Sequence, residues 1–409
     1  MSLTEIEILD PICIAEVAPL SVYVHFPWCV SKCPYCDFNS HAVRGAIPDR
    51  EYVDALEKDL EIQLQSAPTG VSARTVSSIF LGGGTPSLFS PKSIEKVINI
   101  LRANLSIAPD AEITMEANPA TIERGSFIEY ATAGINRVSL GAQSFSLSAL
   151  KSLGRVHIPE DTYRAAEELH RAGIGNFNLD LMYGLPGQDV LSALKDVELA
   201  LELSPAQISH YHLTMEPGTV FAAKPPAGLP DEGITDELLQ ACQMLLSERG
   251  FAQYEVSAYA RAGQASRHNQ IYWTYGDYLG LGAGAHGKLC GAGRDATDTG
   301  SPTLGIWRSQ RPREPRRYQR DAHQPPTWSP VPLTERPFEF MLNALRLVGG
   351  VPTELFAMRT GLTWPSQVSR IQELLASGYL RADSMVVGRL QPSSRGLRFL
   401  NEMLLPFIP

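Results

Sequence analysis

From residue 19 to residue 215 the chain repeats one rhythm: a short β-branched run, a polar or glycine-rich loop, then a helical pattern. The runs fall at 20–24, 76–81, 112–116, 137–140, 176–182 and 207–213. Amphipathic helices fill the gaps, among them 49–65, 91–105, 159–172 and 190–203. Strands separated by helices pair in parallel, because a parallel neighbour needs a crossover long enough to carry the chain back. Six such units fall short of the eight that close a barrel. The expected fold is α/β, an open, partial (β/α)6 barrel.

The length of 409 residues allows two or three domains. Residues 1–18 read as an N-terminal extension and 19–230 as the partial barrel. Residues 231–300 extend the barrel with a helix at 236–249 and an aromatic, glycine-rich segment. At 301–332 six arginines (Arg308, Arg311, Arg313, Arg316, Arg317 and Arg320) mingle with prolines, which predicts an extended linker or surface arm. Residues 333–409 read as a small, mainly helical accessory domain. Helical patterns at 335–348, 353–358, 367–377 and 395–404, with a strand at 385–390, give it a winged-helix-like order.

The densest chemistry lies directly after the first strand, in His25-Phe-Pro-Trp-Cys29-Val-Ser-Lys-Cys33-Pro-Tyr35-Cys36. Three cysteines within eight residues can converge on a soft metal centre, and such loops are the usual anchors of iron–sulfur clusters. Three thiolates would leave one iron of a [4Fe–4S] cluster open to an exogenous ligand. A zinc site would need His25 or His41 as fourth ligand, and structural zinc sites usually come as two separated pairs. Three buried structural cysteines fit poorly, since loop cysteines this dense are reactive.

Further candidates fall at the carboxyl ends of later strands, where sites in parallel barrels gather. After the second strand comes Gly82-Gly83-Gly84-Thr85-Pro86, whose glycines let backbone groups approach a ligand closely; alone it would read as a tight turn. The third strand ends at Glu116, a candidate acceptor for ribose hydroxyls or else a solvated loop acid. The fourth ends at Gln143, with Arg155 twelve residues on. Asp180 interrupts the otherwise apolar fifth strand, and a charge there needs a partner or a role.

The Cys-x3-Cys-x2-Cys spacing, with Tyr35 before the third cysteine, is similar to the signature of the radical S-adenosylmethionine (SAM) superfamily. That resemblance implies a cluster that binds SAM at its open iron and, once reduced, cleaves it to a 5′-deoxyadenosyl radical. With all motifs in order, residues 19–290 closely resemble one branch of the superfamily, and the tail does so more weakly. The branch contains oxygen-independent coproporphyrinogen III oxidase and the HemW-type haem chaperones. The resemblance implies a [4Fe–4S] cluster on Cys29, Cys33 and Cys36. It also implies SAM contacts at Tyr23, Tyr35, Gly83, Gly84, Thr85, Glu116, Gln143, Arg155 and Asp180.

Two features separate the relatives. The oxidase resembles Cys-x3-Cys-x2-Cys-x-Cys, and the last position is Phe38 here. His268-Asn269-Gln-Ile-Tyr272-Trp273 matches the His-Asn-x-x-Tyr-Trp motif of the chaperones. The expected function is thus haem binding and transfer to an unknown acceptor protein, with an electron donor for the cluster. The competing expectation is radical oxidative decarboxylation of coproporphyrinogen III. His268 is the expected haem contact, since imidazole is the commonest protein ligand to haem iron. In the plainer alternative, Tyr272 and Trp273 face the core of a strand and His268 caps a loop. His212 and His286 are weaker candidates, better read as structural.

Asp and Glu total 44 against 35 Lys and Arg, a net charge of -9 that disfavours bulk nucleic-acid binding. The arginine-rich arm reads first as a solvated loop, then as a contact for haem propionates or an acidic partner, and last as a nucleic-acid contact. No run approaches the roughly 18 apolar residues of a membrane span, and the N-terminus lacks a signal-peptide pattern. Six cysteines in this length do not make a disulfide scaffold. A cytoplasmic protein is expected, meeting a membrane only through its acceptor. Cys13, Cys242 and Cys290 read as small buried side chains.

Overall fold

The computed structural model describes residues 18–68, 70, 71, 73–120, 125–292 and 304–409. The expected N-terminal extension, up to residue 17, and Cys13 lie outside the described residues. Strand β1 (Leu20–Phe26) runs into β2 (Trp28–Cys29), a two-residue strand that pairs with β3 (His41–Ala42). Then follow β4 (Thr75–Gly83), β5 (Ser106–Ala117), β6 (Arg137–Gln143), β7 (Phe177–Tyr183) and β8 (Gln207–His212). While β2 and β3 form a separate parallel pair, strands β1 and β4 to β8 lie side by side in parallel. Their connections carry helices α1 (Asp49–Ser66), α2 (Pro91–Asn104), α3 (Phe127–Ala133), α4 (Leu147–Ser152), α5 (Pro159–Arg171) and α6 (Val190–Glu202). Local signals set their ends: Ser90 caps α2 ahead of Pro91, a Ser126/Glu129 capping box opens α3, and Asp189 caps α6.

After α7 (Val220–Ala223) and α8 (Glu232–Glu248), β9 (Ala252–Glu255) and β10 (Ala258–Ala260) extend the sheet beyond β8. Helix α9 (Arg267–Trp273) precedes β11 (Asp277–Leu281), which joins β1 in parallel on the opposite side. Three antiparallel strands follow it: β12 (His286–Ala292), β13 (Leu304–Gln310) and β14 (Thr327–Pro330). The order ends at β14 on one side and β9 on the other, and no ladder joins these edges among the described residues. The barrel is partial, as expected.

The strands alternate in an inverted sense. Val138, Leu140, Leu179, Leu181 and Ile208 belong to the buried apolar core shared with the helices. Their neighbours one residue away (Arg137, Ser139, Asn178, Asp180, Gln207 and Ser209) line a central cavity instead. Successive strand residues point to opposite faces, so the apolar set faces the helices and the polar set faces the lumen. Each Leu or Ile buried under the helices contributes about 1.5–3 kcal/mol. Small inner residues such as Ser139, Gly141 and Ser209 leave room where a closed barrel would be packed solid.

Residues 304–332 do not form an extended linker. Of the six arginines Arg308 and Arg311 are tied into the fold, whereas Arg313, Arg316, Arg317 and Arg320 are exposed. Residues Leu304–Gln310 pair with β12 along seven registered positions, and Pro315–Asp321 forms helix α10. Arg308 donates to the Tyr278 hydroxyl and to Glu339, while Arg311 is 3% exposed and pairs with the fully buried Asp59 at 3.2 Å. The alternation Ile306-Trp307-Arg308-Ser309 carries a strand signal that the surrounding prolines obscure. Residues 301–303 lie outside the described residues.

The tail is helical: Arg336–Ala344, Glu354–Thr360, Val368–Ala376, Ser394–Arg398 and Leu400–Leu404. The strand expected at 385–390 is a correction. Residues Ala382–Val386 are helical, Gly388 turns at φ +70°, and only Arg389–Leu390 pairs, with Val351–Pro352. The tail helices share a second apolar core with Tyr275, Cys290 and Ile306 of the sheet extension.

Candidate cofactor site

The cysteine loop is held at both ends. The β2·β3 pair closes it, and the backbone N–H groups of Gly84 and Thr85 donate to the carbonyls of Phe26 and Trp28. The glycine loop therefore lies directly against the cysteine loop. Gly83 has φ +109°, and a Cβ there would sit 2.3 Å from the His25 ring. At Gly84 a Cβ would sit 2.6 Å from the Trp28 carbonyl. Only glycine fits either position.

Above the sheet lies a cavity of about 410 Å³. Cys29, Cys33 and Cys36 line it together with Tyr35, Gly83, Gly84, Thr85, Glu116, Gln143, Arg155 and Asp180. Glu116 accepts from the Gly83 N–H at 2.9 Å, and burial, with a contribution from Asp180, pushes its pKa to about 7. Asp180 is also raised by burial, and it accepts from Asn178 at 2.8 Å and from Ser139 at 3.2 Å. Those two side chains are the partners that a carboxylate inside a strand requires. Gln143 adopts φ +65°, an unusual conformation for a side-chain-bearing residue at the mouth of a site. Arg155 is fixed by the Gly141 carbonyl at 2.8 Å and reaches Cys33 Sγ at 3.6 Å.

Two expected contacts are not on the cavity wall. The Tyr23 hydroxyl bonds His25 Nδ1 at 2.9 Å, and its ring stacks against Phe80. His268 lies in helix α9, not in a strand, and is 2% exposed. Its Nδ1 meets the Ser78 hydroxyl at 3.2 Å, and its ring stacks on Phe80 at 4.9 Å. Burial pushes its pKa down to about 3, so the imidazole is neutral. The motif residue that reaches the cavity is its neighbour Asn269. Helix α9 is seated by Glu112, whose carboxylate accepts from the Ser266 hydroxyl and from the N–H groups of Arg267 and His268. Of the rival histidines, His212 lines the cavity and stacks on Tyr183, while His286 is exposed at the start of β12.

The donor set fits an iron–sulfur cluster. Thiolates of a cluster attach to different irons and need not converge on one point. Among the described residues, no three His, Cys, Asp or Glu side chains gather as a single-ion site. His25 has no nitrogen to spare for zinc, because Nδ1 meets Tyr23 and Nε2 meets the Asn39 carbonyl at 2.9 Å. Phe38, which replaces the oxidase-type fourth cysteine, is 60% exposed at the cavity rim.

Motif reading missed Arg137, Ser139, Asn178, Gln207 and Ser209 on the lumen wall. Their signal was present as strict polar–apolar alternation, for example Arg137-Val-Ser139-Leu-Gly141.

Residues 23–200 match the Radical SAM superfamily model, and residues 331–399 match that of the HemN C-terminal domain. The chain is 42% identical to "Heme chaperone HemW" of Escherichia coli (strain K12) over 393 residues, which cover 96% of this chain and 99% of that protein. It is equally similar, 42% over 395 residues, to the protein of the same name from Haemophilus influenzae. Among solved structures it resembles coproporphyrinogen III oxidase (HemN) from Escherichia coli, described as a radical SAM enzyme. That match has a TM-score of 0.75 at 23% identity and covers 95% of this chain and 90% of the other. At that identity the likeness concerns the fold.

Proposed function

This chain belongs to the HemW family of the radical SAM superfamily, and from that premise we propose that it binds haem and passes it to an acceptor protein in the cytoplasm. Cys29, Cys33 and Cys36 would hold a [4Fe–4S] cluster, and the cavity residues around them would hold SAM. When bound, the cluster supplies one-electron chemistry to SAM. The carrying observation is the single cavity that collects all three cysteines and most of the expected SAM contacts in a chain so similar to HemW.

The residues divide the work. Glu116 and Asp180, half-buried on the cavity wall, offer acceptors for hydroxyl groups. Gly83 and Gly84 bring backbone within reach of a ligand, and Arg155 supplies a fixed positive charge beside Cys33. His268 has Nδ1 engaged by Ser78 and its ring stacked on Phe80, while its buried Nε2 has no hydrogen-bonding partner among the described residues. That nitrogen would have to be uncovered for His268 to serve as a haem ligand. Among the described residues no helix is long and apolar enough to cross a membrane.

A second reading, decarboxylation of coproporphyrinogen III, is favoured by a cavity lining that retains most of the expected SAM contacts, which a plain carrier does not need. Phe38 in place of a cysteine argues against it. One experiment separates them: anaerobic incubation of reconstituted protein with dithionite, SAM and coproporphyrinogen III, alongside a haemin titration. The proposal expects haem binding with no protoporphyrinogen above a cluster-free control. Product formation without haem binding would overturn it.

A further inference from the structure

Each of the three cavity cysteines has a side-chain hydrogen-bonding partner from a separate place, with Tyr35 also meeting Cys33 and Ser40 also meeting Cys29. Thr85 Oγ1, in the glycine loop, donates to Cys29 Sγ at 3.5 Å. Arg155 Nη1, beyond α4, donates to Cys33 Sγ at 3.6 Å. Ser40 Oγ, at the end of the cysteine loop, lies 3.7 Å from Cys36 Sγ. Between a thiol and a hydroxyl that last bond can run either way. Once Cys36 is a ligating thiolate, only Ser40 has a proton to give.

The donors are held in place independently of the sulfurs. Arg155 is anchored by the Gly141 carbonyl at 2.8 Å. The Thr85 backbone N–H is tied to the Trp28 carbonyl at 2.8 Å, and that of Ser40 to the Phe38 carbonyl at 2.7 Å. Preorganised donors around ligating atoms tune a metal centre as well as orienting it. Hydrogen bonds to cluster sulfurs favour the more negative, reduced state, and a guanidinium adds a full charge to that effect.

We propose that Thr85, Arg155 and Ser40 form a sulfur-directed donor set that makes a cluster on Cys29, Cys33 and Cys36 easier to reduce, with Arg155 contributing most. This rests on the cluster assignment above and assigns Arg155 a role beyond contact with SAM. These are positioning residues that act through the thiolates.

The test is an anaerobic redox titration of reconstituted protein without SAM, followed by the electron paramagnetic resonance signal of the reduced cluster. Iron and sulfide are counted in every sample. Arg155→Leu is expected to make reduction about tenfold less favourable, a shift of about 59 mV to more negative potential for a one-electron couple. Thr85→Val should shift the same way by less, and Thr85→Ser should restore the wild-type value. A fully loaded Arg155→Leu protein that titrates at the wild-type potential would overturn the proposal. If Arg155→Leu fails to load, the Thr85 pair decides: equal potentials for Val and wild type overturn it. Absence of iron and sulfide in the wild type would overturn the cluster assignment itself and the donor set with it. The counts report one failure and the potentials report the other.

Discussion

The carboxylate of Glu116 accepts a hydrogen bond from the backbone N–H of Gly83 at 2.9 Å. This contact ties the end of β5 to the glycine loop of β4 and fixes both against the cysteine loop. It couples an acid, a backbone cradle and a thiol set that lie far apart in sequence.

Gly83→Ala should break this arrangement. The new Cβ would meet the His25 ring, and φ +109° is strained for any other residue. A loss of at least about 1–3 kcal/mol is expected for the backbone strain alone. Denaturant unfolding of the cluster-free protein checks it, together with reduced SAM binding by equilibrium dialysis.

Glu116 also predicts a pH dependence. Its folded pKa, about 7, lies above the ordinary 4.5 because burial disfavours the charge. The folded state then holds more protons than the unfolded one between those values. Its contribution to stability is full below pH 4.5 and is lost as pH rises through 7. The loss is on the order of 3 kcal/mol. Unfolding free energies of wild type and Glu116→Gln across pH 5–8 should differ in slope, the variant being flatter. Parallel curves would remove Glu116 as the cause.

Much of this arrangement is legible in the sequence, for physical reasons. The six parallel strands were found from β-branched runs because their outward Val, Leu and Ile residues must be buried beneath helices. The cysteines and glycines were found because their chemistry and backbone freedom are rare. Strand β13 was missed because prolines and arginines at 301–332 look solvated, whereas Arg311 is neutralised by Asp59 only through tertiary contact. His268 looked like an available ligand. Nothing local in the sequence shows that Ser78 and Phe80, nearly two hundred residues away, enclose it.

The Arg311–Asp59 pair is accordingly expected to matter for stability. Asp59 also receives bonds from Gln63, Gly282 and Tyr318, but Arg311 is its charged partner. Arg311→Ala leaves a buried carboxylate without that charge and should cost about 3–5 kcal/mol. The denaturation midpoint reads it. A change below about 0.5 kcal/mol would class Arg311 with ordinary surface residues.

His268→Ala should act first on packing. Removing a ring that stacks on Phe80 and bonds Ser78 is expected to cost about 2–4 kcal/mol. Iron and sulfide content should stay at wild-type level, because His268 does not touch the cysteine loop. A haemin titration of the same variant then reads the histidine's part in haem binding separately from the cluster.

The most direct measurement counts iron and acid-labile sulfide in anaerobically reconstituted wild type and Cys33→Ala, with haemin affinity measured on the same samples. The three-cysteine cluster predicts about four of each per wild-type chain and near loss in the variant. It also predicts haemin binding by the wild type. Full iron and sulfide in Cys33→Ala, or a wild type that fails to take up either the cluster or haem, would contradict it.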